Sequence, residues 1–158
     1  MPQHKALILC IDDDGPSLES RGLLLESSGY KVLSAAGARE GLELFAQHAI
    51  DAVLVDYEMP VMNGDLVAAR MKSIKPRIPI VMLSAHRNLP TDKLVSVDAF
   101  VSKGEPWSGV LARLDELLRV DLPFFSRWLG DWRHRRTSRA ENPLQAQPPA
   151  ANAAKRSL

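Results

Sequence analysis

Short runs that are apolar or small at every position, each stopped by a polar or charged residue, constrain this chain most. Ala6-Leu7-Ile8-Leu9-Cys10-Ile11 stops at Asp12-Asp13-Asp14, and Ala52-Val53-Leu54-Val55 stops at Asp56. Ile80-Val81-Met82-Leu83 stops at Ser84, and Ala99-Phe100-Val101-Ser102 at Lys103. Runs of this kind are strands buried on both faces, which a parallel sheet covers with helices. Tyr30 to Ser34 is more polar, as suits an edge strand.

Helical patterns fill the gaps between these runs. Ser17 is predicted to cap a helix carrying Leu18, Leu24 and Leu25 and ending at Gly29. Arg39 to His48 presents Leu42, Phe45 and Ala46 at helical spacing, and Asp65 to Ile74 presents Val67, Arg70, Met71 and Ile74. Glu105 to Arg119 carries Trp107, Val110, Leu111, Leu114 and Leu118 on one face. Between Ser84 and Ala99, Pro90 leaves at most Thr91 to Val97 for a helix, so a short helix or an irregular loop is expected there. Strand and helix alternating five times define an α/β fold, a doubly wound five-stranded parallel sheet with right-handed crossovers.

The charge balance divides the chain. Residues 1–120 hold 13 Lys/Arg against 16 Asp/Glu, and residues 121–158 hold 7 against 3, so an acidic domain precedes a basic tail. Residues 121–139 form an aromatic and basic amphipathic stretch, with Phe124, Phe125, Trp128, Leu129 and Trp132 at helical period. It suits packing on the domain, a partner helix or a membrane surface. Residues 140–158, rich in Pro, Ala, Gln and Asn, are expected to be disordered. The tail has neither the length nor the pattern of a helix-turn-helix, and its arginines are too few to imply nucleic acid. The lone Cys10 excludes a disulfide framework. No leader or membrane-length run is evident, so a cytoplasmic location is expected.

At the carboxyl edge of such a sheet Asp12, Asp13, Asp56, Ser84 and Lys103 face the same crevice, the place where open parallel sheets bind ligands. Crowded carboxylates repel one another unless a cation joins them. Hard oxygen donors with room for water suit Mg²⁺ (or Mn²⁺) completed by substrate phosphate. A carboxylate beside such an ion can act as a nucleophile toward phosphorus, with an ammonium and a hydroxyl to share the charge of the group in flight. The four histidines show no ligand spacing for a transition metal.

These pieces resemble the receiver domain of two-component response regulators. The residues that carry the resemblance are Leu-Cys-Ile-Asp-Asp-Asp at 9–14, Val-Leu-Val-Asp-Tyr-Glu-Met-Pro-Val-Met-Asn-Gly at 53–64, Met-Leu-Ser-Ala at 82–85 and Phe-Val-Ser-Lys at 100–103. The resemblance covers about residues 5 to 119. It implies a flavodoxin-like sheet of order 2-1-3-4-5 within a receiver domain at 1–120, here with a shortened fourth helix. It implies that Asp56 takes a phosphoryl group from a sensor histidine kinase or a histidine phosphotransfer protein. Asp13 and the Glu58 backbone carbonyl would ligate Mg²⁺ and Asp12 would act through water. Lys103 would pair with the phosphate, Ser84 would be the switch hydroxyl, and Phe100 the aromatic that follows it. Glu58 and His86 would tune how fast the phosphate is lost.

The family commonly has proline after the conserved lysine. Gly104 stands there instead, so a trans Lys103–Gly104 bond is expected. With no DNA-binding output, the message would pass by contact with a downstream protein, the chain being a switch rather than an enzyme. Two other classes compete. Asp12-Asp13-Asp14-Gly15 also resembles the opening of haloacid dehalogenase-type phosphatases, with Asp12 as nucleophile and Asp14 as acid/base, but that leaves Asp56 without a role. A phosphorylation-independent adaptor leaves the acidic set without one.

Overall fold

The structure is a computed structural model that describes residues 5–119. The expected tail at 121–139 and disordered end at 140–158 lie outside the described residues. In chain order the elements are β1 (Leu7–Ile11), α1 (Gly15–Ser27), β2 (Lys31–Ala35), α2 (Ala38–Gln47) and β3 (Ala52–Asp56). Then come α3 (Gly64–Ile74), β4 (Ile80–Ser84), a single 3-10 turn (Thr91–Leu94), β5 (Ala99–Ser102) and a helix over 107–119, here α4. The sheet is wholly parallel in the order β2-β1-β3-β4-β5.

Period-two alternation splits the buried residues into two cores, one on each face of the sheet. Leu9, Ile11, Val53, Val55, Ile80 and Met82 pack with Phe45 of α2 and Val67, Ala68 and Met71 of α3. Ile8, Cys10, Leu54, Val81, Leu83 and Val101 pack with Leu18 and Leu25 of α1 and Val110 and Leu114 of α4. β3 and β4 are buried at every position, as runs without polar alternation require. β2, at the edge, has only Ala35 buried.

Helix ends and faces depart from expectation in instructive ways. The cap of α1 is Asp14 rather than Ser17: its carboxylate accepts the Ser17 N–H at 3.0 Å, and Pro16 fits the first turn because it needs no donor there. Ser17 in turn holds the Asp14 carboxyl below the ordinary carboxylate range. Leu18 and Leu25, seven residues apart, face the sheet, while Leu24 is turned about 100° away and is exposed. On α3 the inward set is Val67, Ala68 and Met71, and Ile74 is exposed. On α2 it is Gly41 and Phe45, with Ala46 exposed.

Between β4 and β5 the chain forms only the 3-10 turn that follows Pro90, as the proline suggested. Leu89, Leu94, Val97 and Phe100 pack on the α2/α3 core from this side. The cover is thin: Val95 is exposed, and the first two residues of β5 are only half-buried. The described residues contain no cis peptide bond, so Lys103–Gly104 is trans.

One glycine fixes the loop after β3. A Cβ on Gly64 would lie 2.3 Å from the Asp56 carbonyl oxygen, closer than atoms can approach. The Gly64 N–H donates to the Tyr57 carbonyl at 2.9 Å, so the chain folds back against the strand end. Within this loop Met62 donates to the Pro60 carbonyl at 2.7 Å across Val61, whose φ is 69°. A γ-turn of that hand is strained, more so for a β-branched residue.

Candidate functional site

The register brings the strand ends together. Ile11 pairs with Val55, Asp56 with Leu83 and Ser84 with Ser102, so Asp12, Asp56, Ser84 and Lys103 come to one edge of the sheet. Backbone bonds lock these ends: Tyr57 donates to the Leu83 carbonyl at 2.8 Å and Lys103 to the Ser84 carbonyl at 2.8 Å.

Asp12, Asp13 and Asp56 each offer a carboxylate oxygen, all within 4.8 Å of one another. Asp12 and Asp56 are buried and Asp13 is exposed, which leaves a cluster with one open side. Asp56 Oδ1 meets the Lys103 ammonium at 2.5 Å and has no donor in hydrogen-bonding geometry. Burial pushes the Asp56 carboxyl above the ordinary carboxylate range, aided by Asp12 and opposed by Lys103 and Arg21. A hard-oxygen donor set with an under-satisfied buried carboxylate and one solvent-facing side fits a hydrated Mg²⁺ or Mn²⁺.

The neighbouring hydroxyl is held elsewhere. Ser84 is fully buried; its Oγ donates to Glu58 Oε1 at 3.1 Å and accepts the His86 N–H at 3.0 Å. Glu58 also accepts the Ala85 N–H at 3.4 Å, and its oxygens lie 3.2 Å from His86 Nε2 and 3.9 Å from Lys103 Nζ. Glu58 thus reaches from the loop after β3 to the start of the loop after β4. Phe100, opposite Met82 in the β4–β5 ladder, is half-buried against the α2/α3 core.

Two side chains stand apart from their expected company. Asp14 is exposed and spent on capping α1, so it does not join the acids at the strand ends. Arg21 was not foreseen: its guanidinium pairs with Asp12 Oδ2, and its side chain is 11% exposed. The signal was in the sequence, since Arg21 lies between Leu18 and Leu25 on the stripe of α1 that faces the sheet.

A wholly parallel sheet of order 2-1-3-4-5 with three acids and a lysine at its carboxyl edge defines a flavodoxin-like signalling module. The family model of the response regulator receiver domain matches residues 8–104, and the chain belongs to that family of phosphoacceptor domains in two-component signalling. It is 34% identical over 120 residues to the response regulator MprA of Mycolicibacterium vanbaalenii, covering 73% of this chain and 52% of that protein. It is 29% identical over 126 residues to the transcriptional regulatory protein GlrR of Escherichia coli K12, covering 78% of this chain and 28% of that protein. The chain therefore spans about half or less of the length of these relatives. Among solved structures, the response regulator TrrA of Thermotoga maritima, in complex with Mg²⁺-BeF, superposes with a TM-score of 0.68. The two share 26% identity, over 71% of this chain and 98% of that one.

Proposed function

We propose that Asp56 is the phosphoacceptor of a histidine-to-aspartate relay and that the described domain is a switch read by protein contact. The observation that carries this is the buried Asp56 carboxylate 2.5 Å from the Lys103 ammonium, in one cluster with Asp12 and Asp13. An Asp56 carboxylate oxygen attacks the phosphorus of a phosphohistidine on a sensor kinase or phosphotransfer protein. The new O–P bond forms as the P–N bond breaks, and the imidazole leaves with its electron pair. Asp13, the Asp56 carboxylate and the Glu58 backbone carbonyl would hold Mg²⁺ or Mn²⁺, with Asp12 acting through water. When bound, the ion supplies neutralising charge to the phosphoryl oxygens. Lys103 pairs with another oxygen of the same group.

Phosphorylation replaces the single Asp56 charge with about −1.5 to −2 on the phosphoryl group, a net gain of about −0.5 to −1, and brings new acceptors to this edge. Ser84 is a hydroxyl donor at this edge, and it reaches the phosphoryl group only by leaving Glu58 Oε1. Glu58 and His86 therefore sit where they can tune both switching and phosphate loss, with Phe100 free to follow from its thinly covered place on β5. The membership of the receiver family supports a signalling role rather than turnover of a substrate. No helix among the described residues is long and apolar enough to cross a membrane, in keeping with work in the cytoplasm. The kinase and the downstream protein are to be found by their contacts with the domain. Acetyl phosphate with Mg²⁺ should label the wild-type chain and leave Asp56→Asn unlabelled. Labelling retained in Asp56→Asn would overturn the assignment.

A further inference from the structure

Arg21 occupies a stripe position on α1 that a leucine or valine would fill without desolvating a charge. Its side chain is nonetheless only 11% exposed, and its guanidinium is spent on Asp12 Oδ2. The other Asp12 oxygen accepts the Asp14 N–H at 2.8 Å, so both oxygens of this carboxylate are engaged within the chain. The three clustered acids and the two cations paired with them, counted without the half-exposed Glu58 3.9 Å from Lys103, sum to a net charge near −1.

We propose that Arg21 sets the divalent-cation affinity of this site by occupying Asp12, making ion binding weak until a phosphoryl group arrives. The inference rests on the metal-assisted phosphoacceptor role proposed above. A divalent ion alone would turn the site from about −1 to about +1, which the two fixed cations oppose. A phosphoryl group of about −1.5 to −2, which replaces the Asp56 carboxylate's own charge, brings the sum back towards zero. Ion and phosphoryl group therefore bind better together than either does singly, a coupling that reads the same from both sides. Without Arg21 the three acids and Lys103 sum to −2, which a divalent ion neutralises by itself.

The test is calorimetric titration of Mg²⁺ into the full chain at low ionic strength, where charge effects are least screened. The proteins are wild type, Arg21→Met, which keeps the aliphatic stem without the charge, and Arg21→Lys, which keeps the charge. Circular dichroism and thermal melting establish that each is folded. Arg21→Met is expected to bind Mg²⁺ about tenfold more tightly. That is the effect of a unit charge on a divalent ion a few ångströms away, even at a dielectric near that of water. Arg21→Lys is expected to stay close to wild type. Equal or weaker binding by folded Arg21→Met overturns the proposal and makes Arg21 a structural partner of Asp12. Should Arg21→Met not fold, the titration of Arg21→Lys decides: tightening as large as tenfold despite the retained charge overturns the proposal. If wild type and both variants fail to bind Mg²⁺ at millimolar concentration, the metal-assisted role itself fails, which separates that failure from the failure of Arg21's part in it.

Discussion

The two edges of the sheet treat their carboxylates in opposite ways. At the amino edge, Asp51 accepts the Leu7 N–H at 2.7 Å, and Asp98 accepts the Ile80 N–H and the Lys72 ammonium, each at 2.7 Å. Each acid there ties one strand start to its neighbour and has its own donors. At the carboxyl edge, Asp12, Asp13 and Asp56 crowd together, and Asp56 Oδ1 lacks a well-placed hydrogen-bond donor. The first arrangement stabilises the fold; the second leaves a charge imbalance that a ligand can relieve. Acids at the two edges of one sheet thus divide by whether their partners are already present in the chain.

The largest expected difference between the edges follows from removing one acid at each. Asp56→Asn abolishes labelling by acetyl phosphate, whereas Asp98→Ala leaves it intact in the folded protein and lowers stability. The cost at Asp98 is about 2 kcal/mol, the scale of hydrogen bonds involving a charged group, read from urea denaturation. Asp98→Ala with unchanged stability would remove the contrast.

Gly64→Ala sharpens the account of the carboxyl edge. Its methyl group meets backbone, so the loop has to move, at a cost of about 1–3 kcal/mol and with weakened labelling. Gly41→Ala meets only side-chain atoms, those of buried Ile11, so core packing rather than backbone has to give, and it should cost less. Comparing the two by denaturation separates a rigid contact from a yielding one.

Asp56→Asn should also melt at a higher temperature than wild type at pH 7, since the folded domain holds the Asp56 proton more tightly than the unfolded chain does. The stability linked to this group is fully present below the ordinary carboxylate value of 3.8 and is lost as pH rises through the higher folded value. The neutral amide removes that decline. Lys103 loses its closer partner but keeps Glu58 at 3.9 Å, and its side chain is a third exposed and stays hydrated. A lower melting temperature for Asp56→Asn would show that the Lys103 pair outweighs burial.

The smallest expected effects lie in the loop and the core beneath it. Val61→Gly relieves a positive φ in a β-branched residue, worth about 1–3 kcal/mol, and is offset by the roughly 1 kcal/mol of flexibility that glycine adds. A gain of about 1 kcal/mol in denaturation is expected. Burial pushes the Cys10 thiol up to about 12, so it should resist a thiol reagent at pH 8 in the native state and react once urea unfolds the chain.

Much of this was legible in the sequence because it depends on patterns along one strand. Ala52 to Val55 is apolar or small throughout and ends in an acid, which places Asp56 at a strand end without knowledge of any neighbour. Parallel pairing then gathers Asp12, Ser84 and Lys103 at the same edge. Pro90 likewise announced the missing helix before β5. What escaped depends on contacts between elements or on rotation within one. Glu58 reaching Ser84 joins residues 26 apart, and no local pattern encodes that. The cap of α1 passed from Ser17 to Asp14 because Asp14 also carries a side-chain acceptor, and helix-compatible Pro16 lets the helix start earlier. Arg21 went unnoticed because the stripe of α1 was drawn through Leu24, which faces solvent, and not through the residue between Leu18 and Leu25.

The central claim is that the crowded edge is a phosphoryl-accepting site with Asp56 as its nucleophile. The most direct measurement incubates the full chain with acetyl phosphate and Mg²⁺ and locates the modified residue by mass spectrometry after borohydride trapping. The account predicts one phosphoryl group per chain, on Asp56, lost on adding a chelator before the phosphate donor. Modification at Asp12, or none on a folded chain with Mg²⁺ bound, would contradict it.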